Sequence, residues 1–358
     1  MGWTITIGRV AGTEIKVHLT FFILVVFWGM AGYEQAGTTG AIAACLMLFA
    51  LFACVLLHEF GHILMARRFG VRTPDVILLP IGGVARLERI PDEPRQELLI
   101  ALAGPAVTLG IVLLLYGALA LGGDAPRLGE LDPDGPFLET LTRVNLYLLV
   151  FNLFPAFPMD GGRVLRALLA SRLGLATGTR IAARFGQICA VVAGLYGLIA
   201  GEPLLALVAL FVFLGAGAEA AAVETRVAGL GLTVEQMMVT DFRTIPVYAP
   251  LSQAVALLLA GEQREFPVVD NLGRVEGMLT RDGLIRGISE RGTTSTVGEA
   301  MTAQVDAVSP RLGFQEALQR LRTSGLPALP VVDGNGRLMG LLTLDNITDL
   351  LLIRRAGA

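Results

Sequence analysis

A chain of 358 residues that is 54% hydrophobic and only 16% charged, with a mean hydropathy of +0.65, carries more apolar surface than one soluble core can hide, which excludes an ordinary soluble globular protein. A formal net charge of -3 without a clustered basic face excludes nucleic acid as a partner. Cys45, Cys54 and Cys189 lie inside apolar runs, with neither the CxxC spacing of a metal site nor a paired secreted framework, and are read as helix-packing residues.

The N-terminal stretch lacks a basic region followed by an apolar run and a small-residue cleavage site, so no removable signal peptide is expected and the first apolar segment is read as the anchor. WTITIGRV and TEIKV read as short strands that form a hairpin. Six runs approach the length of about 20 residues needed to span a bilayer: 17–33, 41–65, 98–121, 138–157, 185–200 and 204–223, the fifth of them short. With the N-terminus inside, the inner segments hold Arg9 and Lys16, then Arg67, Arg68, Arg72, Arg86, Arg89 and Arg95, then Arg163, Arg166, Arg172, Arg180 and Arg184, then Arg226. The outer loops hold only Arg127, with Arg143 inside the start of the fourth segment. The positive-inside rule then predicts that both termini are cytoplasmic. Between the second and third segments, VILLPIGGVARLERI is broken by Pro80 and Gly82-Gly83 and is expected to form a hairpin over 76–90 that dips toward the membrane. Non-helical backbone at that depth needs protein or a water-filled cavity beside it.

After residue 224 the apolar runs shorten and charges rise. FPVVDNLGRVEGMLT recurs as LPVVDGNGRLMGLLT at a constant offset of 63 residues, and Met238-Val239-Thr240 answers Met301-Thr302. Each copy predicts an apolar helix, a strand, a Gly turn, a second strand and a closing helix. The expected division is a membrane domain over 1–224, a linker over 225–234, and two repeats over 235–295 and 296–358.

The chemistry is concentrated in two places. LLHEFGHIL fits HExxH; positions i and i+4 share a helix face, so His58 and His62 can offer two imidazoles to one metal while Glu59 handles a water beside it. Ionisable groups in an apolar helix are costly and functional by default. The only other histidine is His18, so a third ligand is expected to be a carboxylate. NLFPAFPMDGGRVLRALL offers Asp160, after prolines 155 and 158 break the helix and where Gly161-Gly162 let the backbone turn. An N-cap role for Asp160, on a helix starting at Arg163, is the alternative.

HEFGH and NLFPAFPMDGGR together resemble the two motifs of the site-2 protease family of intramembrane metalloproteases, in its prokaryotic branch with a C-terminal pair of cystathionine-beta-synthase (CBS) domains. The resemblance covers nearly the whole chain. It implies a polytopic α-helical membrane domain of about six transmembrane helices followed by a soluble α/β tandem CBS pair, in a prokaryotic cell membrane. Carried over by position, His58, His62 and Asp160 are ligands of one Zn2+ and Glu59 is the general base. Asn152 matches the Asn that opens the second motif, where its amide binds an extended substrate or the developing oxyanion, or else bonds another helix. Gly104-Pro105 in ALAGPAVTL resembles a third-helix motif, with Thr108 where many members have Asn. The implied substrate is a membrane-anchored protein, cleaved in or near the bilayer. His18 is read as an interfacial side chain rather than a fourth ligand.

CBS pairs often bind ATP or AMP, which here points to Thr280, Asp282, Thr343 and Asp345, and they also form homodimers. Three residues after the Thr of GxxT, however, Gly283 and Asn346 replace the usual ribose-binding Asp, and Asp282 and Asp345 stand one residue early. CBS pairs also hang from channels and transporters, so a CBS-gated transporter or ion-binding protein is the competing function. That reading expects symmetry between membrane halves, and residues 1–224 contain no repeat.

Overall fold

The computed structural model describes residues 3–80, 82–85, 93–122, 135–261 and 263–356, in two compact units, Met1–Val223 and Glu224–Ala358. Arg86, Arg89 and Arg127 of the charge asymmetry, and the far end of the 76–90 hairpin, lie outside the described residues.

The first unit opens with strands β1 (Thr4–Val10) and β2 (Thr13–His18), followed by helix α1 (Leu19–Arg68), β3 (Asp75–Leu79) and β4 (Gly82–Ala85). The strands form one sheet in the order β1-β2-β3-β4, with β2 and β3 parallel and the other pairs antiparallel. His18 caps α1, its Nδ1 accepting from Thr20 N–H at 3.3 Å, which accounts for the third histidine away from any metal. At about 1.5 Å per residue the 50 residues of α1 could not fit a bilayer core as a straight rod. The helix is broken at Ala36 and Gly37, where Gly37 takes φ 61°. The Phe21 ring then lies 4.7 Å from that of Phe52, and a β-carbon on Gly32 would lie 2.5 Å from Gly40 O. Residues 19–35 and 38–68 therefore run back to back, seamed by glycine as close membrane helices are.

The sheet rests on the second half of α1: Val17 and Leu78 pack with Phe21, Leu48 and Phe52, and Ile15 and Val76 with Ile63. Helices α2 (Pro94–Leu121), α3 (Phe137–Leu153), α4 (Asp160–Leu173), α5 (Leu175–Ala200) and α6 (Pro203–Ala228) follow. By length and composition α1, α2, α5 and α6 can cross a membrane, the folded α1 containing the first two apolar runs. The fifth run is not short: α5 begins ten residues earlier than its apolar stretch, at Leu175. Its first turns are polar, so hydropathy misses them, but Gly178 holds them against the backbone of Ala170, 2.8 Å from where a β-carbon would stand.

The second unit contains α7 (Val234–Met237), β5 (Ile245–Pro246), α8 (Leu251–Ala260), β6 (Glu265–Val269), β7 (Val275–Thr280), α9 (Arg281–Arg291), α10 (Val297–Ala300), β8 (Thr302–Ala303), α11 (Phe314–Ser324), β9 (Ala328–Val332), β10 (Leu338–Thr343) and α12 (Leu344–Ala356). The 63-residue offset persists in the pairing. Ile245 pairs parallel with Val268 as Val308 does with Val331, and Met278 pairs with Thr302 as Leu341 does with Val239. These last pairs cross between copies. Leu232, Val234 and Met237 enter the core of the second copy with Phe314 and Leu342, while Val297 enters that of the first with Phe266 and Leu279. The repeated glycine marks the crossing: a β-carbon on Gly340 would lie 2.7 Å from Met238 Sδ, and one on Gly277 would lie 2.9 Å from Met301 Sδ and overlap Thr302 O. Overpacking of this kind costs about 1–3 kcal/mol. Gly340→Val is thus expected to weaken the second unit by that amount, read as earlier amide exchange in β9 and β10, whereas wild-type protection would contradict the crossing.

Candidate metal centre

Helical spacing sets His58 and His62 one turn apart on the inner face of α1, where they are 7% and 6% exposed. The outer nitrogen of each ring is already committed. His62 Nδ1 lies 2.7 Å from Ile100 O, an oxygen that can only accept, so Nδ1 carries the proton. His58 Nδ1 lies 2.8 Å from Thr108 Oγ1, and Thr108 hands its own proton to Gly104 O at 3.4 Å. In its neutral form each ring therefore turns a bare Nε2 inward. The Thr108 hydroxyl thereby orients His58.

Asp160 arrives from the start of α4. The helix begins at Asp160 itself, with Met159 as N-cap, so neither the start at Arg163 nor the capping role holds. Gly161 and Gly162 are helical residues of that first turn, correcting the expectation of a sharp glycine bend. Their lack of side chains permits contact: a β-carbon on Gly162 would lie 2.5 Å from Ala156 C, and one on Gly161 would overlap the carbonyls of Leu153 and Phe154. Pressed down in this way, Asp160 Oδ2 lies 3.1 Å from His58 Nε2 and 3.2 Å from His62 Nε2, with the two nitrogens 3.1 Å apart. Three lone pairs thus face one another in a buried place. A proton on one nitrogen still leaves the opposite edge as two bare acceptors, whereas a metal ion relieves all three. A tetrahedral ion with bonds of about 2.0–2.1 Å needs ligand separations of about 3.3 Å, and the observed edges fit. His58, His62 and Asp160 can hold such an ion.

Two glycines shape the surroundings. A β-carbon on Gly104 of α2 would overlap His62 Nε2 and lie 2.7 Å from His58 Nε2, and one on Gly83 of β4 would lie 2.7 Å from Glu59 Cγ. Gly61, inside HEFGH, lets α1 meet α2, with Ala103 O 2.6 Å from its would-be β-carbon. A cavity of about 520 Å³ opens on the triangle, lined among others by Glu59, Gly83, Asn145, Asn152 and Arg163. Asn152 reaches it from the last turn of α3. A second amide of α3 lines the cavity, Asn145, which sequence reasoning missed and which donates to Leu141 O of its own helix at 2.8 Å. Its only advance signal was a spacing of two helical turns from Asn152.

In the second unit, Thr280 and Thr343 cap α9 and α12, accepting from Gly283 N–H at 3.0 Å and Asn346 N–H at 3.1 Å. Asn346 also donates its amide to Met237 O at 2.5 Å. Asp282 and Asp345 are exposed, and their charges, after half-burial, push the Glu265 carboxyl above its usual range. Glu265 gave a sequence signal that went unread, since its counterpart 63 residues on is Ala328.

The model of peptidase family M50 matches residues 46–127 and 135–194, and that of the CBS domain matches 234–290 and 297–353. A zinc metalloprotease of Methanocaldococcus jannaschii is 34% identical over 355 residues, 97% of this chain and 96% of that one. Rip3 of Mycobacterium tuberculosis is 29% identical over 98% of this chain and 93% of its own. A solved site-2 protease from Methanocaldococcus jannaschii shares 35% identity over 68% of this chain and 99% of that one, with a TM-score of 0.46. Full-length similarity to a zinc metalloprotease, with both family models in register, means that the chain belongs to the site-2 proteases of peptidase family M50 and carries a C-terminal CBS domain pair.

Proposed function

We propose that this integral membrane zinc metalloprotease hydrolyses peptide bonds of membrane-anchored proteins in or near the bilayer, as in regulated intramembrane proteolysis, with zinc held by His58, His62 and Asp160. The observation that carries the reading is the buried triangle of three lone pairs opening on a cavity that Glu59 lines. Bound zinc supplies Lewis acidity, polarising a peptide carbonyl and acidifying water. Glu59 takes the proton of the attacking water and returns it to the leaving amine. Thr108 and Ile100 O keep both imidazoles in the tautomer that presents Nε2. The Asn152 amide binds an oxygen of the substrate backbone. An unwound substrate adds as a strand to β4, which ends the sheet among the described residues and whose Gly83 lies beside Glu59. Family membership disfavours the transporter alternative.

The arginine asymmetry supports cytoplasmic termini, and the site near the arginine-rich end of α1, by Arg67 and Arg68, then faces the cytoplasm. The division at 1–224, 225–234, 235–295 and 296–358 is kept for the sequence, with the crossing segments shared between copies. The CBS pair is proposed to act as a homodimerising module rather than an ATP or AMP sensor. Its Thr280 and Thr343 hydroxyls serve as caps, Asn346 is tied to Met237, and Glu265, Asp282 and Asp345 gather negative charge.

Glu59→Gln is expected to retain zinc by metal analysis yet cleave a co-expressed single-span substrate at least about 100-fold more slowly; undiminished cleavage would remove Glu59 from the chemistry. Gly104→Ala should purify folded but without stoichiometric zinc, because its methyl takes the space of His62 Nε2. Titration calorimetry of the full chain with ATP and with AMP at millimolar ligand is expected to show no saturable heat, and a saturable isotherm with either would restore the nucleotide site.

A further inference from the structure

Arg166 of α4 is only 2% exposed, in a part of the molecule where an unpaired charge would be ruinous. Its Nε donates to Glu97 Oε1 of α2 at 2.6 Å, its Nη2 pairs with the same oxygen, and its Nη1 donates to Glu219 Oε1 of α6 at 2.5 Å. The guanidinium carbon sits 5.1 Å from the centre of the Phe157 ring. None of these groups touches the triangle, and the mechanism above uses none of them.

Their placement gives them a task. Asp160 lies between Phe157, three residues before it, and Arg166, six after it, so the stack and the fork bracket the segment that carries it. Glu97 stands one turn before Ile100 on the helix whose Ile100 carbonyl and Thr108 hydroxyl orient the two imidazoles. A buried ion pair is a poor source of stability, since apolar residues of equal volume often serve as well. What a planar fork adds is geometry, fixing both the distance and the direction between the helices it joins.

We propose that Arg166 is a positioning residue: gripped by Glu97 and Glu219, it fixes α4 against α2 so that Asp160 stays 3.1–3.2 Å from both imidazoles. The proposal rests on the reading of that triangle as the zinc site. The test uses full-length protein in detergent, with zinc release followed by a chromogenic chelator and cleavage of a single-span peptide followed in parallel. Arg166→Met is compared with Glu97→Gln/Arg166→Met, in which no buried charge is left alone, and with Glu219→Gln at the partly exposed end of the fork.

Folded Arg166→Met, or the double variant, is expected to release zinc about 10–100-fold faster and to lose kcat with KM unchanged, because the cavity that binds substrate is intact. Glu219→Gln should show the same pattern more weakly. Wild-type release and kcat in either folded Arg166 variant would overturn the proposal. Loss of folding in both, with Glu219→Gln indistinguishable from wild type, would overturn it in favour of a purely structural role. Wild-type protein that holds no zinc would instead defeat the zinc reading, a result that cannot be mistaken for failure of the positioning role.

Discussion

His58, Glu59, His62 and Asp160 meet among mostly apolar helices, and a polar or charged group moved there without a partner costs several kcal/mol. Most of the first unit can be understood as the means of meeting that cost. Each imidazole spends one nitrogen on α2, through Thr108 or the carbonyl of Ile100, and this leaves the other nitrogen with a lone pair and no proton to offer. Asp160 adds a third lone pair instead of relieving the first two. The outer nitrogens of both rings are satisfied and the centre is not, so the arrangement suits a cation. A site built only for stability would have placed a donor there.

The same requirement explains the glycines, which sequence motifs record without explaining. Gly61 brings α1 onto α2 at the depth of the imidazoles, Gly104 clears the space in which their Nε2 atoms meet, and Gly83 brings the backbone of β4 against Glu59. A side chain at any of them would push apart elements that meet at the site. Arg166 is the charged counterpart of these small residues: they allow α2 and β4 to approach α1, and its fork joins α4 to α2 and α6.

What could be read in advance follows from the range of each signal. HEFGH was legible because its spacing matches one helical turn, and Asp160 because prolines and glycines mark a break beside an apolar run. The N-terminal hairpin and the repeated units were legible as local alternation and as a fixed offset of 63 residues. The partners of the imidazoles were not, since one is a backbone carbonyl and the other is a threonine 50 residues from His58. The start of α5 was missed because hydropathy sees only the greasy part of a helix, and the roles of Gly161 and Gly162 because a glycine pair signals a turn and a close contact equally well. The exchange of opening segments between the CBS copies was invisible for a similar reason: Val239 pairs with Leu341, and nothing near either residue says so.

The two units are joined through α6, which runs unbroken from Pro203 to Ala228 and so carries the chain out of the first unit and into the second. Whatever binds the CBS pair can alter catalysis only by stabilising one arrangement of the protease over another, and the covalent path for that difference runs along this helix. Glu219 lies on it, holding Arg166, and Arg166 lies on the helix that begins with Asp160. A shift of α6 by a fraction of an ångström would therefore act on a charge-assisted hydrogen bond, which is short and directional, rather than on apolar packing, which can slide.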